Sequence, residues 1–94
     1  MTLLTDAQLQ QSLVAVPQWQ LREGTAIERE LQLSDFAAAI ALVDRVAAAA
    51  EAANHHPDML VHGWNKLRLT LSTHSEGGLT QADFALAAEI DRLV

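Results

Sequence analysis

The sequence predicts an α+β fold in which one four-stranded antiparallel sheet has three helices on one face, in the order α-β-β-α-β-β-α. Two stretches, 18–33 and 59–73, alternate apolar and polar residues as strands with one buried face do. Between them, 35–53 repeats apolar residues at helical spacing. Two hairpins separated by a helix favour an antiparallel sheet covered by helices. At this length, we expect a single domain over residues 1–94.

The first third of the chain predicts a short helix followed by a hairpin. Residues 5–14 form the helix, with Thr5 and Gln8 as a capping box at its start. The hairpin strands cover 18–22 and 26–33 and are joined by a glycine-containing turn. Arg29 interrupts the apolar positions of the second strand, so its side chain is expected to extend beyond the sheet edge or to snorkel.

The central stretch predicts one long helix over 35–53. Its expected buried stripe consists of Phe36, Ile40, Val43, Ala47 and Ala50. Asn54 is a plausible residue for the C-terminal cap, and Pro57 prevents the helix from continuing. A pair of adjacent histidines, His55 and His56, therefore lies where the helix gives way to a strand.

The last third predicts a second hairpin and a closing helix. Strand residues 59–62 and 66–73 flank a turn at Gly63, and the second of these strands alternates strictly. Thr80 and Asp83 have the spacing of a helix cap, so the last helix is expected to begin there. That capping role by itself would explain the Asp83 carboxylate.

Composition argues against several classes of partner. The net charge is −6 and the basic residues are scattered, whereas nucleic-acid binding calls for a basic patch. No apolar run approaches the roughly 20 residues of a membrane span, and the N-terminus does not resemble a signal peptide. Because there is no cysteine, disulfide and thiolate chemistry are not expected. The expected compartment is the cytoplasm.

All four histidines lie between residues 51 and 83, which makes this stretch the candidate site. Imidazole both gives and takes protons near neutral pH, so His55, His56 and His74 suit general acid–base catalysis. Glu51 and His55 are four residues apart and could form a simple helix-surface pair. A zinc site built from Glu51 and the three histidines is a weaker alternative, because the usual zinc-binding spacings are missing.

A longer pattern runs through the same stretch. Glu51 is followed after three positions by His55-His56-Pro57, after six more by Trp64, after nine more by His74, and later by Asp83. This pattern resembles the signature of the pterin-4a-carbinolamine dehydratases. The strings at 65–66, 70–74 and 78–79 are also similar to members of that family, and so is the predicted order of helices and strands. His62 lies outside the signature, and an exposed turn position is expected for it.

The resemblance implies dehydration of 4a-hydroxytetrahydrobiopterin, or a related tetrahydropterin, to the quinonoid dihydropterin. His55, His56 and His74 would be catalytic, with His74 acting on the leaving hydroxyl, and neither a metal nor a cofactor would be needed. The residues expected to bind or orient substrate and histidines are Glu51, Ser72, Thr73, Asp83 and Trp64. Such an enzyme would serve tetrahydrobiopterin recycling beside an aromatic amino acid hydroxylase.

The same resemblance leaves a second function open. Some relatives look like binding modules, either a dimerisation cofactor for a transcription factor or an assembly factor for Rubisco. The complete set of signature histidines favours the enzyme. The resemblance also implies a homodimer or homotetramer, for which the alanine-rich helix 35–53 and the outer strands offer surfaces.

Overall fold

The computed structural model describes residues 2–94. Its helices are α1 (Asp6–Ala15), α2 (Phe36–Ala53) and α3 (Gln81–Leu93), and its strands are β1 (Gln20–Arg22), β2 (Ala26–Gln32), β3 (Asp58–His62) and β4 (Lys66–Leu71). A single turn of 3-10 helix, His74–Glu76, follows β4. The order α-β-β-α-β-β-α confirms the predicted fold class.

The sheet has the strand order β1-β2-β4-β3, and every pair is antiparallel. Leu67, Leu69 and Leu71 of β4 are completely buried beneath the helices, while the residues between them lie on the open face of the sheet. The register places Asp58 of β3 opposite Thr70 of β4. The strict alternation predicted for β4 is therefore confirmed, and it determines which side chains reach the open face.

The buried stripe of α2 differs from the prediction. Ala39, Leu42, Val46 and Ala50 are the buried residues of this helix. Phe36 and Ile40, which were expected to be buried, are 55% and 38% exposed. Both stripes satisfy a 3.6-residue period, and the many alanines make the apolar face too broad for periodicity alone to choose between them.

Arg29 neither extends past the sheet edge nor snorkels to the surface, and its side chain is 15% exposed. It lies on the same face of β2 as Ile27 and Leu31, and its Nη1 donates a hydrogen bond of 2.5 Å to Oδ1 of Asp91 in α3. The indole N–H of buried Trp19 donates to the same oxygen at 2.8 Å. A carboxylate on α3 thus accounts for the one charged residue in the inward pattern of β2.

Candidate functional site

The end of α2 sends two adjacent histidines in different directions. Asn54 caps the helix in the left-handed conformation, with φ of 50°, and the His55 N–H bonds to the Ala50 carbonyl at 3.1 Å. Asparagine is one of the few residues that tolerate this conformation. The backbone reverses at this point and then runs through Pro57 into β3. The helical spacing that relates Glu51 to a residue four positions on therefore does not extend to His55.

His55 contacts a buried carboxylate at the start of α3. Its Nε2 lies 2.6 Å from Oδ1 of Asp83, whose side chain is fully buried, whereas the imidazole of His55 is 14% exposed. The other carboxylate oxygen of Asp83 accepts from the Thr73 hydroxyl at 2.8 Å and from the Thr80 N–H at 2.9 Å. Three donors therefore satisfy Asp83, as a buried charge requires. The capping role and the histidine contact predicted for Asp83 belong to the same side chain.

The contact with Asp83 determines which ring nitrogen of His55 carries a hydrogen. A carboxylate can only accept, so His55 Nε2 must carry the hydrogen of this bond. In the neutral ring, Nδ1 is then the nitrogen with a lone pair, and it can take up a proton. His55 can thus act as a base at one defined atom while Asp83 orients the ring.

His56 forms the pair that the sequence had suggested for His55. Its Nε2 lies 2.5 Å from Oε2 of Glu51. The two side chains are 56% and 76% exposed, so solvent surrounds this contact. The predicted pairing of Glu51 with His55 is wrong, because the reversal at Asn54 returns His56, and not His55, towards the last turn of α2.

His74 borders a cavity of about 330 Å³ at the end of the sheet. The cavity is also lined by Asp58, Thr70, Ser72, Gly77 and the turn residues Thr25 and Ala26. The Ser72 hydroxyl donates to the Thr25 carbonyl at 2.7 Å and joins β4 to the turn between β1 and β2. Thr73 faces the opposite way and is buried against Asp83. This cavity presents an imidazole and several polar groups to a ligand of modest size.

A second cavity, of about 300 Å³, lies beside His55 between α2 and α3. Its other walls are formed by alanines and Leu86, and Glu89 is the one carboxylate that lines it. The two cavities share no lining residue. The hydrogen bond from Thr73 to Asp83 is the link between them, because Thr73 immediately precedes His74 and Asp83 contacts His55.

Two residues of the predicted stretch lie away from both cavities. Trp64 occupies the exposed turn between β3 and β4, with a φ of 59° and 63% of its surface accessible. It lines neither cavity, so the substrate-binding or orienting role expected for it stays a prediction. His62, at the end of β3, contacts Glu30 on the open face of the sheet. The exposed turn position expected for His62 is wrong, because the residue belongs to β3 and is half-buried.

Glu30 is the centre of a small ionic cluster on the open face. The Arg68 Nε donates to its carboxylate at 3.0 Å, and His62 contacts the other oxygen. Partial burial alone would raise the pKa of Glu30, but the hydrogen bonds from Arg68 and His62 and their charges together keep it below its ordinary value. This cluster is separate from the cavity that His74 borders.

Sequence reasoning missed five residues of the His74 cavity: the polar Thr25, Asp58 and Thr70, and the small Ala26 and Gly77. The alternation of β4 would have found Thr70, because it shares a face with Ser72. Asp58 and Thr25 reach the cavity only through the strand register and the hairpin turn, which no local pattern specifies.

The zinc site considered from the sequence requires its four candidate ligands to lie close together. Within residues 2–94, no three histidine, cysteine, aspartate or glutamate side chains are grouped so that they could hold a metal ion. Glu51, His55, His56 and His74, the ligands considered from the sequence, therefore do not form one group. In the same part of the chain, no helix has both the length and the hydropathy needed to cross a membrane.

Comparison with known proteins places this arrangement in a class. The model of the family described as pterin 4 alpha carbinolamine dehydratase matches residues 2–93. A protein of Nocardia farcinica named "Putative pterin-4-alpha-carbinolamine dehydratase" is 53% identical over 91 residues, which cover 97% of this chain and 94% of that one. A protein of the same name from Chloroflexus aggregans is 46% identical and covers 100% and 99%.

Solved structures of the class share the fold. A transcriptional coactivator/pterin dehydratase from Brucella melitensis superposes with a TM-score of 0.91 at 32% identity, over 98% of each chain. A pterin dehydratase-like protein described as a RuBisCO assembly factor in the alpha-carboxysome gives 0.67 at 25% identity, over 80% of this chain and 87% of that one. Fold and site thus define a dehydratase-like α+β protein. The chain belongs to the pterin-4-alpha-carbinolamine dehydratase family.

Proposed function

We propose that this protein dehydrates 4a-hydroxytetrahydropterin to quinonoid dihydropterin and water, as a hydro-lyase. The observation that carries the proposal is the 330 Å³ cavity, in which a histidine stands beside hydroxyl and carboxylate groups. Membership of the family supplies the substrate class. Recycling of tetrahydrobiopterin after turnover of an aromatic amino acid hydroxylase is the corresponding physiological role.

The reaction needs one proton delivered and one removed. The C4a–O bond breaks as the hydroxyl takes a proton and leaves as water, and loss of the N5 proton allows the C4a=N5 double bond to form. The sum is loss of water without a change of redox state. We assign His74 to the leaving hydroxyl, because it lines the cavity. His55 and His56 line no part of that cavity, so their assignment to binding and proton transfer at the ring rests on the histidine signature alone. Imidazole serves either role near neutral pH.

The neighbouring residues hold these histidines in position. Asp83 orients the His55 ring, and Glu51 does the same for His56. The Thr73 hydroxyl is committed to Asp83, so Thr73 is best described as a positioning residue. Ser72 lines the cavity and keeps accepting capacity for the pterin.

A coupled hydroxylase assay tests the proposal. The wild type should accelerate dehydration over buffer, and His74→Ala and His55→Ala should each lower the rate by at least about 100-fold, the usual contribution of a proton-transfer group. His62→Ala is the matched control, since His62 contacts Glu30 away from the cavity, and it should keep wild-type activity. A wild type without acceleration, or a control as inactive as His74→Ala, would overturn the enzyme proposal.

The exposed face of α2 supports a second candidate, a binding module. Phe36 and Ile40 expose 55% and 38% of their surface on the side of α2 that faces away from the core. Two large apolar groups one turn apart favour contact with another chain. A homodimer or homotetramer would cover them, as would a protein partner. This role is compatible with catalysis, because neither residue lines the cavity of His74.

A further inference from the structure

Two hydroxyl groups on the sheet side of the His74 cavity, those of Ser72 and Thr70, already donate their hydrogens to protein acceptors. The Ser72 hydroxyl donates to the Thr25 carbonyl at 2.7 Å, and the Thr70 hydroxyl donates to the Glu28 carboxylate at 3.5 Å. A carbonyl or carboxylate oxygen can only accept, so the direction of both bonds is unambiguous. What each hydroxyl can still offer a ligand is a lone pair. On the sheet side, this wall therefore accepts hydrogen bonds.

Asp58 adds two further acceptor oxygens to that wall. It is the first residue of β3, lies opposite Thr70 in the register, and is exposed. Within residues 2–94, no group donates a hydrogen bond to its carboxylate and no cation pairs with it. Other carboxylates on this face, such as Glu28 and Glu30, are paired with arginines. Asp58 is thus a carboxylate in the cavity without a protein partner.

A ligand suited to this wall is rich in donors along one edge. The pyrimidine ring of a pterin has such an edge, because its 2-amino group and its N3–H point the same way. A carboxylate accepts two parallel N–H groups of this kind in a bidentate pair, which is stronger and more directional than a neutral hydrogen bond.

We propose that Asp58 is a specificity-determining residue that binds the 2-amino and N3–H edge of the substrate and selects pterins over ring systems with a carbonyl at C2. The identity of the ligand rests on the function proposed above, whereas the acceptor character of the wall does not. No residue of the histidine signature performs this recognition, and Asp58 lies outside that signature.

This placement also orients the substrate. Asp58 faces Thr70, and Ser72, the residue that follows the end of β4, lies about 7 Å further towards His74. With the pyrimidine edge at Asp58, the second ring of the pterin points along β4 towards His74. C4a is the fusion carbon shared by the two rings, and N5 is its neighbour in the second ring, so both lie on the His74 side of the pyrimidine edge. One carboxylate can thereby present the reacting atoms to the imidazole.

The test compares pterin with lumazine, which has a carbonyl at C2 in place of the amino group. Calorimetric titration at pH 7 should show the wild type binding pterin about tenfold or more tightly than lumazine, the usual value of a hydrogen bond to a charged group. In Asp58→Asn, the amide can donate to that carbonyl, so the preference should fall at least about tenfold towards lumazine. Asp44→Asn, a matched loss of one exposed acid on α2, should keep the wild-type ratio.

Kinetics separate this inference from the proposed reaction. If the wild type dehydrates the pterin, Asp58→Asn should raise KM about tenfold and lower kcat by a smaller factor, because Asp58 orients the ring without touching the reacting atoms. An unchanged pterin-to-lumazine ratio in Asp58→Asn would overturn the inference even in an active enzyme. Selective binding lost in that variant would support it even if the wild type proved inactive.

Discussion

His55 and His56 are neighbours in the sequence, and each has a ring nitrogen within 2.6 Å of a carboxylate, yet their surroundings are opposite. The partner of His55 is fully buried and accepts two further hydrogen bonds. The partner of His56 is 76% exposed. The first pair connects the end of α2 to the start of α3 and to the end of β4. The second pair joins two residues that are only five positions apart in the sequence.

This difference shows that contact distance says little about the value of an ion pair. An exposed pair competes with water and is screened by salt, so it contributes about 0–1 kcal/mol. A buried carboxylate that loses a donor is left with an unmet desolvation penalty, which is several times larger. Both histidines can therefore transfer protons, but only the contact of His55 also stabilises the folded structure.

The largest expected effect comes from neutralising each carboxylate in turn. Asp83→Asn should lower the free energy of unfolding by about 3 kcal/mol, because the amide cannot accept from His55, Thr73 and the Thr80 N–H in the same way. Glu51→Gln should change it by no more than about 0.5 kcal/mol. Urea unfolding of both variants beside the wild type measures the two losses. Equal losses would remove the distinction between the pairs.

Much of the framework behind this comparison could be predicted from local patterns. The alternation of β4, the end of α2 at Asn54 and the Thr80–Asp83 cap all depend on residues close in sequence, and the structure confirms each of them. The resemblance implied that Asp83 orients a histidine, but local spacing could not predict that this histidine is His55, because the contact depends on how α3 docks 28 residues further on. The four-residue spacing favoured Glu51 as the partner of His55 instead. That spacing assumes a continuous helix, whereas the backbone reverses at Asn54.

The same limit applies to the cavity and to α2. Four separate segments meet around His74, and strand register decides that Asp58 is one of them. In α2, alanine is compatible with either face, so only packing against the sheet and α3 chooses the stripe of Leu42 and Val46. The chemical roles of the residues that the motif named stay predictions, and the contacts that those residues make depend on tertiary structure.

A double-mutant cycle sharpens the comparison at intermediate size. Replacing His55 and Asp83 by alanine, singly and together, should give a coupling energy of about 1.5 kcal/mol or more. The same cycle on His56 and Glu51 should give less than about 0.5 kcal/mol and should shrink further when salt is added. Thermal or urea unfolding at low and high ionic strength provides the numbers. A coupling for the exposed pair that matches the buried one would contradict the role assigned to burial.

The smallest expected effect concerns a third histidine–carboxylate contact, that of His62 with Glu30, where Arg68 also contributes. Because the folded-state pKa of Glu30 lies below its ordinary value of 4.5, its ionised form stabilises the folded state above that pH. This stabilisation should be lost as the pH falls from 4.5 through the folded-state pKa. The difference in unfolding free energy between wild type and Glu30→Gln should therefore decrease between pH 7 and pH 3. Since Glu30 is partly exposed, that difference should stay well below the loss in Asp83→Asn, and a difference that grows on acidification would show that the cluster acts in the opposite sense.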